Sequence, residues 1–252
     1  MRSLHYTFKF LLILLIIITV FLGNGITEKI FINQDIETFK ARGVFVAEYG
    51  DTSYYLVSKK YDYEDSSKEV LNLNDRNYPG AKGDILITNR NPLRESVIVG
   101  WISQIMWIGH CAIVSSDDGK NTIHIVGNQT ASENIVKEVE NKWIIWGHEN
   151  DEIAIVRVKN INEEMIDKAL NYARSKIGYP YNYSFIFNQS YSFYCSDLVS
   201  RSIEAAGVNI NYDNLVTTGA DILISKNTYL VYYREKKIID NNPKYFVYFL
   251  GN

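Results

Sequence analysis

Short segments of apolar or alternating residues, separated by turn residues, restrict the fold of this chain most. They predict strands at residues 83–88, 109–114, 122–126 and 153–158. Apolar residues at helical spacing predict helices at 163–177 and at about 195–206, and a glycine follows each. Because strands and helices do not alternate regularly along the chain, the sequence predicts an α+β fold with an antiparallel sheet packed against helices.

Composition narrows the functional classes. The chain has 252 residues, a net charge of −3 and 46% hydrophobic residues, which predicts a packed core and no affinity for nucleic acid. Two cysteines are too few for a disulfide scaffold or a four-cysteine zinc site. We find no glycine-rich phosphate loop and no convincing metal-ligand spacing, so we predict no cofactor and no metal.

The first 24 residues resemble a targeting segment. Arg2 and Lys9 precede residues 10–22, which are apolar except for Thr19. A charged start followed by a short apolar run is typical of an export signal, and an uncleaved membrane anchor is the alternative. The sequence therefore predicts an exported protein, either extracellular or anchored to the outer face of the cytoplasmic membrane. It predicts no oligomeric state.

Residues 25–77 are predicted to form an extension before the main domain at 78–252. Alternating residues at 44–49 and 53–57 flank Gly50-Asp51, which predicts a β-hairpin. This hairpin could cover a cleft or extend the sheet.

Cys195 stands at the first turn of the second predicted helix. Free N–H groups and peptide dipoles at a helix N-terminus favour a thiolate, so we expect the pKa of this thiol to be lowered. A histidine base and a third polar group would make the thiolate a nucleophile for acyl transfer. Because His5 lies in the targeting segment and His148 in a polar turn-like stretch, His110 and His124 are the candidate bases.

Strand register decides whether these two histidines meet. A five-residue loop at 115–119 would place His110 directly opposite His124, whereas a two-residue turn at 118–119 would place them on opposite faces. The sequence alone is compatible with both registers. Cys111 points to the face opposite His110 and is predicted to be a core residue.

Five segments in chain order carry a resemblance to a known family. They are Gly83-Asp84-Ile85-Leu86, Gly109-His110-Cys111-Ala112-Ile113-Val114, residues 153–158, Gly178-Tyr179-Pro180-Tyr181-Asn182 and Phe193-Tyr194-Cys195-Ser196-Asp197-Leu198-Val199. Together they resemble the NlpC-like, circularly permuted papain-like cysteine hydrolases of the YiiX/YaeF type over about residues 78–225. The segment around Cys195 is the most specific of the five.

The resemblance implies a permuted papain-like fold with Cys195 as nucleophile and His110 as general base. In bacterial relatives a glutamate usually occupies the strand after the histidine, and His124 occupies that place here. Lecithin:retinol acyltransferase-like proteins, which the chain resembles more distantly, have a second histidine there. Tyr181 and Tyr194 flank the cysteine in the family pattern and are candidate substrate-binding residues.

Other residues could orient His110 instead of His124. Glu138 and Glu140 are the nearest carboxylates in sequence, although residues 133–142 look like a solvated, charged stretch.

The leading functional hypothesis is an exported thiol amidase or peptidase that acts on a peptide or aminoacyl amide of the cell envelope. A lipid acyl hydrolase or acyltransferase using the same residues is one alternative, favoured by His124 and by the apolar segment at 101–108. A non-catalytic, surface-anchored binding protein is the other. A disulfide between Cys111 and Cys195 would support that third hypothesis, because it would consume the nucleophile.

Overall fold

The computed structural model describes residues 2–89, 107, 109–127, 133–144, 152–185 and 189–252. The helices are α1 (Arg2–Lys40), α2 (Glu163–Ser175), α3 (Cys195–Ala205) and α4 (Gly219–Ile224). The strands are β1 (Gly43–Tyr49), β2 (Thr52–Ser58), β3 (Ile85–Thr88), β4 (His110–Val114), β5 (Asn121–Ile125), β6 (Val136–Glu140), β7 (Ile153–Val158), β8 (Thr228–Ile239) and β9 (Asn242–Gly251).

These strands form one sheet in the order β1-β2-β9-β8-β7-β3-β4-β5-β6. The predicted α+β class is confirmed, and so are the four strands and two helices predicted between residues 83 and 206. The sheet is antiparallel, as predicted, except that β2 pairs with β9 in parallel. That pairing joins the N-terminal hairpin to the last strand of the chain.

The N-terminal region is one long helix. It runs from Arg2 to Lys40 and so continues past residue 24. Its last part packs on the protein because Ile32, Ile36 and Phe39 recur at helical spacing and are buried. Among the described residues, no helix meets the length and apolarity that crossing a membrane requires.

The hairpin β1–β2 extends the sheet at its β9 edge. Of the two roles open to it from sequence, the structure therefore shows sheet extension. The domain boundaries at residues 24 and 77 stay predictions.

Two helices on the sheet position the site. Asn162 caps α2 by accepting a hydrogen bond from the Met165 N–H at 2.9 Å. The apolar face of α2 packs against α3, and α3 packs against β4 and β5. The first residue of α3 is thereby held at the end of the two histidine-bearing strands.

The Gly83-Asp84 segment has a structural role. Asp84 lies 1% exposed and receives two hydrogen bonds from Arg157 on β7, at 2.7 and 2.9 Å. This bidentate pair joins the start of β3 to the neighbouring strand. Gly83 has a φ of +87°, which favours glycine, and a Cβ there would lie 3.0 Å from Ile166.

Candidate active site

Cys195 is the first residue of α3 and is half-buried. The first backbone hydrogen bond of this helix runs from the Leu198 N–H to the Tyr194 carbonyl at 2.9 Å. The N–H groups of residues 195–197 therefore precede the helical hydrogen-bond ladder and point out of its N-terminus. This end of a helix favours a negatively charged sulfur.

The pKa of Cys195 lies well below that of an ordinary thiol. The largest cause is a hydrogen bond from the thiol of Cys111, and burial opposes it. A hydrogen bond and a charge interaction from His110, together with the backbone N–H of Cys111, lower the pKa further. Three donors on one sulfur describe a stabilised thiolate.

His110 begins β4 and lies between the thiol and the second histidine. Its Nε2 is 2.9 Å from Nδ1 of His124, and the two ring centroids are 5.0 Å apart. Because Nε2 is engaged with His124, Nδ1 is the ring nitrogen left to face Cys195. We call Cys195, His110 and His124 the thiol cluster.

The register of β4 and β5 matches neither arrangement predicted from sequence. Ala112 pairs with His124, and Ser115 N–H donates to the Asn121 carbonyl at 2.8 Å. The loop therefore has five residues but is shifted by one residue from 115–119 to 116–120. His110 and His124 share a face and lie diagonally, which lets the rings meet.

His124 is held as a neutral imidazole. Burial, as the largest cause, together with the nearby positive charges of His110 and Lys137, lowers its pKa to about 3. Lys137 is its partner on β6. A neutral ring presents one lone pair, so Nδ1 of His124 can accept a hydrogen bond from a protonated His110.

The two alternative carboxylates are engaged elsewhere. Glu138 pairs with Ile123 in the sheet, so its side chain lies on the face opposite His124. It accepts hydrogen bonds from Arg174 at 3.0 and 3.1 Å. Glu140 accepts from the Tyr78 hydroxyl at 2.8 Å and pairs with Lys142. Neither contacts the histidines, which leaves His124 as the polar partner of His110.

The two predicted substrate-binding tyrosines differ in their surroundings. Tyr181 is half-buried and close enough to both cysteines for their charge to raise its pKa, after burial as the larger cause. Tyr194 is the N-cap residue of α3, is 6% exposed, and bonds to Thr217. Tyr181 therefore borders the reactive sulfur, whereas Tyr194 packs the start of the helix.

Two contacts at the site were not found from sequence. Trp143 stacks on His110 with a centroid distance of 5.0 Å and an interplanar angle of 13°. Cys111 is buried, as predicted, but it is also the main hydrogen-bond donor to Cys195. Alternation along β4 predicts that His110 and Cys111 point to opposite faces, yet both interact with Cys195. His148 and residues 101–106 and 108 lie outside the described residues.

Both cysteines are free thiols, so the disulfide that the binding-protein hypothesis would favour is not formed here.

Comparison with known proteins gives the family of the chain. A family model described as permuted papain-like amidase enzyme (YaeF/YiiX, C92 family) matches residues 80–235, which is more than half of the chain. Among solved structures, the crystal structure of the metalloprotein yiiX from Escherichia coli is similar at 17% identity, with a TM-score of 0.46 over 60% of this chain and 96% of that chain. No curated protein matches the chain.

Proposed function

The chain belongs to the permuted papain-like amidase family, and from this premise we propose that it hydrolyses an amide bond through Cys195, with His110 as general base and His124 orienting His110. The observation that carries the proposal is the continuous path from the Cys195 sulfur through His110 to Nδ1 of His124. The more distant likeness to lecithin:retinol acyltransferase-like proteins stays a prediction.

Acylation begins from a thiolate and a protonated His110. The sulfur of Cys195 attacks the carbonyl carbon, and the carbonyl oxygen takes the negative charge of the tetrahedral intermediate. His110 then gives its proton to the leaving nitrogen as the carbon–nitrogen bond breaks. The amine departs and a thioester on Cys195 remains.

The N-terminus of α3 is suited to stabilise the oxyanion. The N–H of Cys195 lies ahead of the helical ladder and has the polarity that a developing negative oxygen requires. The hydroxyl of Tyr181 is a second candidate donor, because its raised pKa keeps it protonated beside the sulfur. Tyr194 is less suited, since its hydroxyl already bonds to Thr217.

Deacylation uses the same groups in reverse. Neutral His110 takes a proton from water, the hydroxide attacks the thioester carbonyl, and the carbon–sulfur bond breaks. The acid product leaves, and the thiolate and protonated His110 are restored. Throughout, neutral His124 holds the His110 ring by accepting its Nε2–H.

We propose a peptide or aminoacyl amide of the cell envelope as the substrate. Exposed aromatic rings lie around the tyrosines at the site: Tyr183 is 4.8 Å from Tyr181, and Phe185 is 5.6 Å from Tyr194. Tyr183 is 58% exposed and Phe185 47%. Such rings can pack on a bulky or apolar group next to the scissile bond.

Trapping of the acyl-enzyme tests this function. The purified full chain is incubated with blocked peptide amides and with envelope peptide fragments, and the peptide containing Cys195 is analysed by mass spectrometry. We expect amine release together with an acyl adduct on Cys195, both lost in Cys195→Ser, which keeps the size of the side chain. Amine release that persists in Cys195→Ser would contradict the proposal.

A lipid acyl ester is a second candidate substrate. The observation that favours it is the exposed aromatic group around Tyr181, which would also suit an acyl chain. Release of fatty acid from phospholipid vesicles, compared with amine release from peptides by the same preparation, distinguishes the two. Activity on lipid alone would replace the amide proposal.

We further propose that the N-terminal segment directs export. The first half of α1 exposes a dense set of apolar side chains, with Phe10, Leu11 and Ile16 each more than half exposed. Apolar surface of this density is typical of a segment that meets a membrane or a translocation apparatus. Fractionation of cells producing the wild type or a Leu11→Lys and Ile16→Lys variant tests this, and equal distribution of both would refute it.

A further inference from the structure

The packed face of α1 contains one carboxylate. Ile32, Ile36 and Phe39 form the buried stripe of this helix, and Glu28 lies one turn before Ile32 on the same stripe. Glu28 is only 2% exposed. An acid therefore occupies a place where helical periodicity calls for an apolar residue.

Two more carboxylates meet Glu28 from another part of the chain. Asp221 lies in α4 and is 1% exposed, and Asp213 lies in the loop before that helix. One oxygen from each of the three residues lies within 4.8 Å of the others. We call Glu28, Asp213 and Asp221 the acidic cluster.

The acidic cluster lacks the partners that such burial requires. Glu28 Oε1 accepts a hydrogen bond from Asn24 at 2.6 Å, but Oε2 has no hydrogen-bond partner among the described residues. Burial, Asp221 and Asp213 raise the pKa of Glu28 to about 7. The hydrogen bond from Asn24 opposes this shift.

The two carboxylate oxygens of Asp221 differ in their hydrogen bonds. Oδ2 accepts from the Thr218 N–H and hydroxyl, both at 2.7 Å, and so caps α4. Oδ1 makes no hydrogen bond of ordinary geometry to a described residue, although the backbone of Asp213 moderates the pKa of Asp221. In Asp213, Oδ1 accepts from the Leu215 N–H at 2.8 Å.

We propose that the acidic cluster is a binding site for a hard divalent cation of the calcium class, held by Glu28, Asp213 and Asp221. Calcium takes oxygen ligands at about 2.3–2.6 Å, so oxygens on opposite sides of one ion lie about 5 Å apart. The observed spacing fits that limit. Three carboxylates without cysteine or histidine favour calcium, magnesium or manganese over a soft metal.

A cation bound at this site would link two separate parts of the chain. Glu28 belongs to the N-terminal helix, whereas Asp213 and Asp221 flank the start of α4, and the two helices are in contact. The same loop reaches the thiol cluster, because the Thr217 carbonyl accepts from the hydroxyl of Ser196, next to Cys195, at 2.8 Å. The proposal concerns binding and is independent of the amidase proposal, although sequence alone predicted no metal.

Calcium binding to the purified full chain tests the proposal. The protein is stripped with a chelator, and binding is measured by calorimetry alongside the thermal midpoint. We expect the midpoint to rise by about 5 °C when calcium exceeds its Kd about 100-fold. Magnesium and manganese in parallel arms report which hard cation is preferred.

Variants locate the site. Glu28→Gln and Asp213→Asn should each weaken binding about tenfold or more. Asp35→Asn, which removes the same charge from an exposed position on the same helix, should leave it unchanged. Asp213 lies in a loop, so its variant tests the site even if Glu28→Gln folds poorly. No binding of any of the three cations to the wild type, or equal binding by wild type and Asp213→Asn, would overturn the proposal.

Discussion

The thiol cluster and the acidic cluster both consist of polar side chains in packed surroundings, but they differ in the hydrogen-bond partners of their buried groups. In the thiol cluster, donors surround the sulfur, and His110 Nε2 faces Nδ1 of His124 at 2.9 Å. In the acidic cluster, three groups of the same charge converge, and a buried oxygen of Glu28 has no partner among the described residues.

In the thiol cluster, the protein's own residues compensate the buried charge, whereas in the acidic cluster they do not. Each member of the thiol cluster compensates its neighbour, so the cluster is ready for proton transfer and nucleophilic attack. The acidic cluster has charge without compensation, which a cation would supply. If this contrast is correct, removing a member of the thiol cluster should lower the rate of amide hydrolysis. Removing a member of the acidic cluster should raise the free energy of unfolding of the cation-free protein.

The largest expected effect comes from removing the base. His110→Ala should lower amide hydrolysis about a thousandfold, because the thiolate loses its hydrogen-bonded imidazolium and the leaving nitrogen loses its acid. Steady-state rates at saturating substrate measure it. A loss of less than tenfold, in a protein that folds normally, would show that another group acts as the base.

Removing the orienting residue should have a smaller effect. His124→Ala should lower hydrolysis about a hundredfold, since the His110 ring is no longer held in one orientation. His124→Gln, whose amide oxygen can accept from Nε2–H, should recover part of the rate. Lys137→Gln is the matched control: it lies beside His124 on β6, and its rate should stay within about threefold of wild type. Equal rates for the two His124 variants would argue against an orienting role.

The low pKa of His124 predicts an acid-sensitive fold. Its pKa is about 3 in the folded protein and about 6.5 when unfolded, so the unfolded chain binds more protons between these values. The free energy of unfolding should therefore fall as the pH drops from about 6.5 to 3, by about 4 kcal/mol from this residue. Urea unfolding at several pH values measures the slope, which should be smaller in His124→Gln. The same slope in both proteins would assign the acid sensitivity to other groups.

The smallest effect is expected at the acidic cluster and has the opposite sign. In the presence of a chelator, Glu28→Gln should raise the free energy of unfolding by about 1 kcal/mol, because it removes one of three like charges from a buried place. With excess calcium, the wild type should become the more stable of the two. Thermal unfolding of both proteins under both conditions measures this reversal. A Glu28→Gln variant that is less stable under both conditions would contradict the contrast.

The thiol cluster shows which structural features could be predicted from the sequence. The segment around Cys195 combines helical periodicity with a specific residue order, and both predict the helix start that the structure shows. The diagonal register of the histidine strands was not predicted, because the loop at 116–120 differs by one residue from the loop considered. Register depends on such turn geometry more than on the strand residues themselves.

Contacts between residues that are distant in the chain could not be predicted from local sequence patterns. The apolar run before residue 24 is typical of a targeting segment, whereas the structure shows that the same helix continues to Lys40 and buries Ile32, Ile36 and Phe39. The parallel pairing of β2 with β9 joins segments almost 200 residues apart, and no local pattern encodes it. The contact of Glu28 with Asp213 and Asp221 likewise joins distant segments and has no local sequence pattern.

The central claim is that Cys195 is a thiolate paired with His110, and the pH dependence of its alkylation tests this most directly. Iodoacetamide labelling is followed by mass spectrometry of the peptide containing Cys195, which separates it from Cys111. The account predicts an apparent pKa well below the ordinary thiol value of about 8.5 in the wild type, and a clear rise in His110→Ala. An ordinary thiol pKa in both proteins, or the same low value in both, would contradict it.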